Sequence, residues 1–238
     1  MKALIKRSFF VLAATTLGMT TLRAQTADDI VNKYIAAIGG KDALNSVHSL
    51  IIEATTSVAG NDGDTQDTIV FGKGYKNHSD FGGTTLVTCI TPNGGWTINP
   101  FMGANTPTAI PEEQLKSQQI NLTLDPLANY AANGNKIELA GQDTADYKIK
   151  VSGKGPDVTY YVNAKTYLID KVTTHMSMGG QDADVNISFS DYRKLPDAGL
   201  MYPYSETLDL PQASLVITIK KVTVNPTVDP SVFDMPKQ

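Results

Sequence analysis

Apolar and polar residues alternate at period two along most of this chain. The clearest stretch is 146–178, where three alternating runs are separated by the turn-forming segments 153–157 and 163–166. Alternation places every second side chain on one face of a strand, so the pattern predicts an antiparallel meander joined by hairpins. Its apolar face is wide, and we expect another layer or a ligand to cover it.

The same period predicts further strands on both sides of this meander. They are residues 50–59, 68–71, 75–81, 84–91, 96–101, 136–140, 184–195, 200–210 and 214–224. The acidic, glycine-rich segment 60–64 is typical of the turn between the first two. With the meander, this makes about eleven or twelve strands in a mainly β (α+β) chain, and a sheet of that size normally curls or closes.

A helix precedes the first predicted strand. Thr26 is a typical N-cap, and an apolar stripe at helical spacing continues from Ile30 to Ile38. The pair Gly39-Gly40 predicts the end of the helix. A helix with one apolar stripe needs an apolar surface to lie on, and the predicted sheet supplies one.

The centre of the chain, between the predicted strands 96–101 and 136–140, has helical character. Residues 104–111 are rich in proline and threonine, 111–120 predicts a short helix with proline at its first position, and Asp125-Pro126 predicts the start of a second. Leucines and isoleucines give this segment an apolar side. We therefore expect it to lie over a face of the sheet as a helical lid.

The first 24 residues have the organisation of a secretory signal peptide. Lys2, Lys6 and Arg7 precede a mostly apolar run that is too short to span a bilayer, and a small residue, Ala24, stands before Gln25. We predict cleavage between Ala24 and Gln25. The remaining 25–238 has a suitable length for one all-β domain.

Charge and cysteine content narrow the classes of partner. Without residues 1–24 the chain has 16 basic and 24 acidic residues, which argues against a nucleic-acid partner. Cys89 is the only cysteine and is far from the predicted cleavage site, so it offers no lipid anchor there and no disulfide within one chain. The sequence predicts a soluble periplasmic protein whose mature form has no transmembrane segment.

The sequence offers no convergent set of catalytic groups. His48, His78 and His175 are widely separated and have no metal-ligand spacing, and Cys89 alternates with apolar residues as a buried side chain would. Nucleophile-elbow, phosphate-loop and dinucleotide-binding motifs are missing from the sequence, and the acidic segment 61–67 lacks the last ligand of a calcium loop. We expect a binding protein rather than an enzyme, with no metal and no cofactor.

Five segments in a fixed order carry a resemblance to a known family. They are 26–50, 94–101 (GGWTINPF), 160–172 (YYVNAKTYLIDKV), 191–208 and 228–236 (VDPSVFDMP). In this order they resemble the LolA-type periplasmic lipoprotein carriers and the related outer-membrane lipoprotein-sorting proteins, and the resemblance covers most of the mature chain.

The resemblance implies a curved antiparallel open half-barrel with an N-terminal helix and a central helical lid. It also implies that acyl chains of lipids or lipoproteins are held in an apolar cavity between sheet and helices. The implied partners are the inner- and outer-membrane components of lipoprotein sorting. A chain of roughly fourteen carbons would contribute on the order of 10 kcal/mol, at about 0.8 kcal/mol per buried methylene.

Candidate ligand-contacting residues follow from strand parity and from nearness to the lid. They are Trp96, Ile98, Phe101 and Met102 before the lid, Leu115, Ile120 and Leu127 within it, and Tyr160, Val162, Met176 and Met178 on the meander. The family carriers have an arginine that is associated with lid opening. The resemblance puts Lys73 at that position, and lysine lacks the planar fork of arginine.

Two other functional classes remain open from the sequence. The same fold could serve as an envelope module for protein–protein interaction or stress sensing, with no role in transport. A hydrolase whose acids come together only in the folded chain is the third class, and a buried cluster of carboxylates or histidines would revive it.

Overall fold

The computed structural model of the protein describes residues 25–153, 156–178, 181–210 and 213–237, except for the side chains of 175–178 and 181–183. The predicted signal peptide lies outside these residues. Three α-helices are described, α1 (Ala27–Ala37), α2 (Gly40–Ser46) and α3 (Glu112–Gln118), with 3-10 helices at Pro100–Met102, Gln119–Leu122 and Pro230–Phe233. None of the described helices is long and apolar enough to cross a membrane.

Thirteen strands form one sheet. They are β1 (Ser49–Val58), β2 (Asn61–Val70), β3 (Gly74–Phe81), β4 (Thr84–Thr91), β5 (Gly94–Asn99), β6 (Ala104–Ala109), β7 (Lys136–Gln142), β8 (Asp146–Ser152), β9 (Val158–Asn163), β10 (Ile169–Met178), β11 (Gln181–Lys194), β12 (Met201–Asp209) and β13 (Ser214–Val224). Every neighbouring pair is antiparallel, in the order β6-β5-β4-β3-β2-β1-β13-β12-β11-β10-β9-β8-β7. Because β6 and β7 do not pair with each other, the curved sheet stays open, and the predicted half-barrel is confirmed.

Helix α1 begins with the predicted cap. The Thr26 hydroxyl accepts from the backbone N–H of Asp29, and the Asp29 carboxylate accepts in return from the N–H of Thr26, both at 3.1 Å. This capping box satisfies two backbone donors that the first turn leaves free. Gly39 follows the helix at φ +120°, a conformation that favours glycine, and a Cβ there would lie 2.7 Å from the carbonyl oxygen of Gly199.

The apolar stripe of α1 lies on the concave face of the sheet. It forms one core with the inward-facing residues of β1, β8, β9, β12 and β13. Ile30, Leu50, Ile149 and Val162 are fully buried there. The apolar face of the meander is therefore covered by α1, which makes the expected ligand unnecessary at this end of the half-barrel.

The convex face carries a second, smaller cluster. Val87, Cys89 and Trp96 pack against Phe233 from the C-terminal 3-10 helix. The Trp96 indole N–H donates to the Phe233 carbonyl at 3.1 Å. The predicted burial of Cys89 is confirmed, and the contact with Phe233 holds the C-terminal segment against the sheet.

The structure corrects three predicted boundaries. The turn after β1 is shorter than 60–64, since β2 already begins at Asn61. Residues 40–46, which were expected only to end a helix, form α2. The proline-rich segment after β5 forms β6, which an edge position allows because proline at position 107 need not donate to a second neighbour.

The prediction of a second helix that begins at Asp125-Pro126 is wrong. Residues 126–134 form consecutive turns instead, with separate backbone bonds such as Asn129 N–H to Asp125 O at 3.1 Å and Asn133 N–H to Asn129 O at 3.0 Å. Two asparagines and Gly134 disfavour a continuous helix here. The lid is thus α3 and the 3-10 helix Gln119–Leu122, followed by the turn segment 123–135.

Candidate ligand-binding site

The lid covers the concave face at the end of the half-barrel that α1 also covers. Leu115 of α3 and Leu122 of the 3-10 helix pack with Ile90 of β4. The Gly72 N–H, in the turn between β2 and β3, donates to the Leu122 carbonyl at 2.8 Å. Backbone contact with that turn therefore fixes the end of the lid.

The turn segment of the lid is tied to α1 by two tyrosines. The Tyr34 hydroxyl donates to Asp125, whose other oxygen accepts from the Ala128 N–H at 2.8 Å. The Tyr130 hydroxyl donates to Asp28 at 2.6 Å on the surface. Burial raises the pKa of both Tyr34 and Asp125, and the charge of Asp125 raises that of Tyr34 further.

A cavity of about 510 Å³ lies beside the lid. Its lining comes from the turn between β4 and β5, from Ile110 and from α3, including Leu115 and Lys116. Its position is at the outer edge of the lid, away from the core under α1. The volume is in the range of small-molecule pockets.

The other end of the concave face is only partly covered. Val58, Leu215, Leu208 and Ile187 stand directly opposite one another on β1, β13, β12 and β11, and we call them the open row. They are half-buried, and Ile187 packs against the edge of the core that contains α1. Apolar side chains thus continue along the concave face beyond the reach of the helices.

Polar side chains form a hydrogen-bonded track along the same face, in β1, β2 and β3. The hydroxyl oxygens of Thr56 and Thr65 are 2.9 Å apart, and those of Thr65 and Ser79 are 3.1 Å apart. The Ser79 hydroxyl donates to the side-chain oxygen of Asn77 at 3.1 Å, and the Asn77 amide donates to Asp67 at 2.7 Å. Thr56, Thr65 and Ser79 are buried. This hollow is therefore less apolar than the resemblance implies.

Asp67 ends the polar track, and it accepts from neutral donors. Besides Asn77, the Tyr75 hydroxyl donates to it at 3.2 Å. Burial raises the pKa of Asp67, while these two hydrogen bonds partly offset the shift. Burial also raises the pKa of Tyr75 well above its ordinary value, and the charges of Asp67 and Glu206 add to that shift.

Glu206 faces the same hollow from β12. It stands opposite Ile217 of β13 and Phe189 of β11, which belong to the partly buried fringe of the core. Burial, with a smaller contribution from the charge of Asp67, raises the pKa of Glu206 to about 7. The carboxyl group is therefore divided between its neutral and charged forms near neutral pH.

The structure places the predicted ligand residues in several separate environments. Leu115 lies in the lid cluster, and Leu127, Tyr160 and Val162 fill the core beneath α1. Ile120 of the lid is 48% exposed. The side chains of Met176 and Met178 lie outside the described residues.

Trp96 and Ile98 do not share a face with the lid. Their cross-strand partners are Cys89 and Val87, on the convex face with Phe233. Gly95, which precedes Trp96 and is the cross-strand partner of Ile90, is the residue that approaches Leu115 of the lid. Strand parity was therefore assigned to the wrong face at this point.

Phe101, Met102 and Lys73 lie at the rim. Phe101 is 67% and Met102 is 83% exposed, in the 3-10 helix after β5. Lys73 is exposed in the turn between β2 and β3, next to Gly72, which holds the lid. In the described part of the chain its ammonium group forms no hydrogen bond, so the contact to the lid comes from the backbone of its neighbour.

Sequence reasoning missed the acids Asp67 and Glu206 and the tyrosines Tyr75 and Tyr202. A usable signal was present, because Glu206 occupies the same strand parity as Tyr202 and Leu208. An acid at an apolar position of a half-buried strand is rare without a partner.

Solved structures with the same architecture include two bacterial proteins. A LolA superfamily protein from Nitrosomonas europaea matches 89% of this chain and 98% of its own, with 13% identity and a TM-score of 0.58. A DUF1329 family protein from Desulfovibrio piger matches with the same identity, coverage and TM-score. A scan against protein-family models finds no match, and neither does a search of the curated proteins. The structural likeness confirms the resemblance at the level of the fold.

Proposed function

We propose that this chain, which has the LolA-like fold, is an exported periplasmic carrier or sensor that binds the acyl chain of a lipid or lipoprotein on its concave face. The open row is the observation that carries the proposal, because its four apolar side chains lie side by side and half-exposed within the hollow. The implied role is binding without catalysis, and its partners would be the membrane components that supply and receive the lipid.

The acyl chain would lie along the open row rather than under α1. The core beneath α1 is filled by the protein's own side chains, such as Ile30, Leu127 and Val162. An acyl chain on the open row needs no displacement of these residues. Each methylene removed from water would contribute about 0.8 kcal/mol, and the bound part of the chain sets the affinity.

Competition binding tests the proposal with a matched pair of variants. The mature protein from Gln25 would be titrated with a neutral fluorescent acyl probe, with 1-dodecanol as competitor. Leu215→Gln changes the open row, whereas Val216→Gln changes the adjacent residue of β13 on the convex face. We expect Leu215→Gln to weaken binding about fivefold, since about 1 kcal/mol of apolar contact is lost, and Val216→Gln to leave it unchanged.

The proposal fails if the mature protein neither binds the neutral probe nor carries lipid in native mass spectrometry. Equal effects of the two variants would also contradict the site, because only Leu215 belongs to the open row.

A second function, an envelope module for protein–protein interaction, is favoured by one observation. Phe101 and Met102 are strongly exposed beside the edge strand β6, and neighbouring exposed apolar side chains often mark interaction sites. A protein partner whose capture is lost in Phe101→Ser and Met102→Ser, and which still binds after lipid has been removed, would favour this function over transport.

A further inference from the structure

Glu206 carries a charge that the binding of an acyl chain does not use. Its cross-strand neighbours Ile217 and Phe189 are apolar, and the residue is half-buried between them. Within the described residues, no hydrogen bond or ion pair reaches that carboxylate. Removing part of a carboxylate from water without giving it a donor costs free energy. A ligand that brings its own donor would remove this cost.

The neighbouring acid does not supply a cation either. Asp67 is held by the neutral groups of Asn77 and Tyr75. The lysines of β13 pair elsewhere: Lys220 with Asp64 at 2.8 Å, and Lys221 with Glu53 at 3.2 Å. The hollow therefore contains two acids, the charge of Asp67 raises the pKa of Glu206, and among the described groups no cation shifts the pKa of either acid.

Tyrosine side chains reach this pair of acids, and the Tyr75 hydroxyl donates to Asp67 at 3.2 Å. The charge of Glu206 reaches the hydroxyl groups of Tyr75 of β3, Tyr192 of β11 and Tyr202 of β12, and raises the pKa of each in addition to the effect of burial. Tyrosine rings attract cations through their faces, and the attraction grows where water is excluded. Acids together with tyrosines are the chemistry of a site for an organic ammonium group.

We infer that Glu206, with Asp67 and the rings of Tyr75 and Tyr202, forms a subsite for the protonated amine of an amphiphilic ligand. This inference rests on the proposed function, since the hydrocarbon part of the ligand would lie along the open row. The two parts adjoin, because Leu208 of the open row is two residues from Glu206 on the same face of β12. The site would thus bind both the head group and the tail of one amphiphile.

The ammonium group binds the ionised form of Glu206. Near pH 7 a fraction of the protein molecules carries a proton on Glu206, and binding of the ammonium group must release that proton. The other titratable groups that face Glu206 are Asp67 and the three tyrosines, and the tyrosines stay neutral in this range. Binding of the amine should therefore release about half a proton at pH 7 and tighten between pH 6 and pH 8.

The test compares two probes of equal chain length on the full mature protein. Dodecylamine and 1-dodecanol, each below its micelle concentration, would compete with the neutral acyl probe. Glu206→Gln removes the charge, and Glu53→Gln is the matched control on the convex face. We expect the amine to bind at least tenfold more tightly than the alcohol, Glu206→Gln to abolish the difference, and Glu53→Gln to preserve it.

Each outcome decides the inference. If the alcohol binds but the amine has no advantage, or keeps its advantage in Glu206→Gln, the ammonium subsite is overturned while the acyl-binding function stands. Binding of the amine alone, with dependence on Glu206, supports the subsite and contradicts the open row as the place of the tail. If neither probe binds, both proposals are overturned. Proton release, measured by calorimetry in two buffers, separates a direct ionic contact from a change in packing.

Discussion

At the scale of single residues, the concave face is defined by where its acids lie. Glu206 interrupts the apolar row of Phe189 and Ile217, and Asp67 lies among the inward-facing residues of β2. Both residues are half-buried, and burial raises the pKa of both. Acids whose pKa is raised in this way are concentrated at binding and catalytic sites.

The pKa of Glu206 predicts how stability depends on pH. Because its folded-state pKa of about 7 exceeds the ordinary value of 4.5, the folded protein binds the proton more tightly. The contribution of Glu206 to stability is then fully present below pH 4.5 and is lost as the pH rises through 7. Glu206→Gln should increase the free energy of unfolding by about 1 to 2 kcal/mol at pH 8, allowing for partial exposure, and by little at pH 4.5.

Urea denaturation at the two pH values measures this difference. Glu53→Gln, whose partner Lys221 is on the surface, should change stability by less than about 0.5 kcal/mol at either pH. An equal effect of Glu206→Gln at both pH values would mean that its proton is not coupled to folding.

At the scale of elements, the two tyrosine contacts of the lid differ in burial. Tyr34→Phe leaves the buried Asp125 without its hydroxyl donor and should cost about 2 kcal/mol of unfolding free energy. Tyr130→Phe removes a surface hydrogen bond to Asp28 and should cost well under 1 kcal/mol. Denaturant unfolding of both variants measures the two values, and similar losses would show that the buried contact has no special weight.

The lid itself is held by a small cluster. Leu115→Ala should cost about 2 kcal/mol locally, because Leu115 packs on Ile90 and Leu122. Since the Gly72 N–H donates to Leu122, hydrogen exchange at Gly72 should become faster. The exposed Ile120, changed to alanine, is the control and should leave that exchange rate unaltered. Unchanged exchange in Leu115→Ala would mean that the lid is held by other contacts.

Element types could be predicted from the sequence more reliably than their faces. The strands 84–91 and 214–224 and the cap at Thr26 were predicted correctly because alternation and capping are local signals. The turns at 126–134 and the strand β6 were not predicted. The packing of the turns against α1 and the edge position of β6 both depend on residues that are distant in the sequence. Trp96 was assigned to the wrong face because the C-terminal segment that covers it is 137 residues away.

That segment gives a prediction at the scale of the whole molecule. Phe233 lies against Gly74, where a Cβ would be 2.6 Å from its ring, and it covers Trp96, the only tryptophan. Phe233→Ala should cost about 3 kcal/mol and shift the fluorescence of Trp96 to longer wavelength, because water would reach the indole. Val232→Ala, at a half-buried neighbour, should shift it less. An unchanged spectrum in Phe233→Ala would contradict the sealing of the convex face by the C-terminal segment.

The molecule as a whole combines a filled end and an open end. Helix α1 and the lid close one end of the half-barrel over a packed core, and the open row and the polar track line the other. The fold follows from the order of hairpins, and the resemblance anticipated it. The division of the hollow into apolar and polar parts could not be predicted from the order of hairpins, since it depends on which strands face each other across the concave face of the curved sheet.

Mapping a bound chain onto the methyl groups tests the central claim most directly. The mature protein, with isotope-labelled Ile, Leu and Val methyls, would be titrated with 1-dodecanol and followed by NMR. We predict that the methyl signals of Val58, Ile187, Leu208 and Leu215 shift together in a saturable way, while those of Ile30 and Val162 under α1 stay in place. Shifts confined to the convex face, or no saturable shift at any concentration below micelle formation, would contradict it.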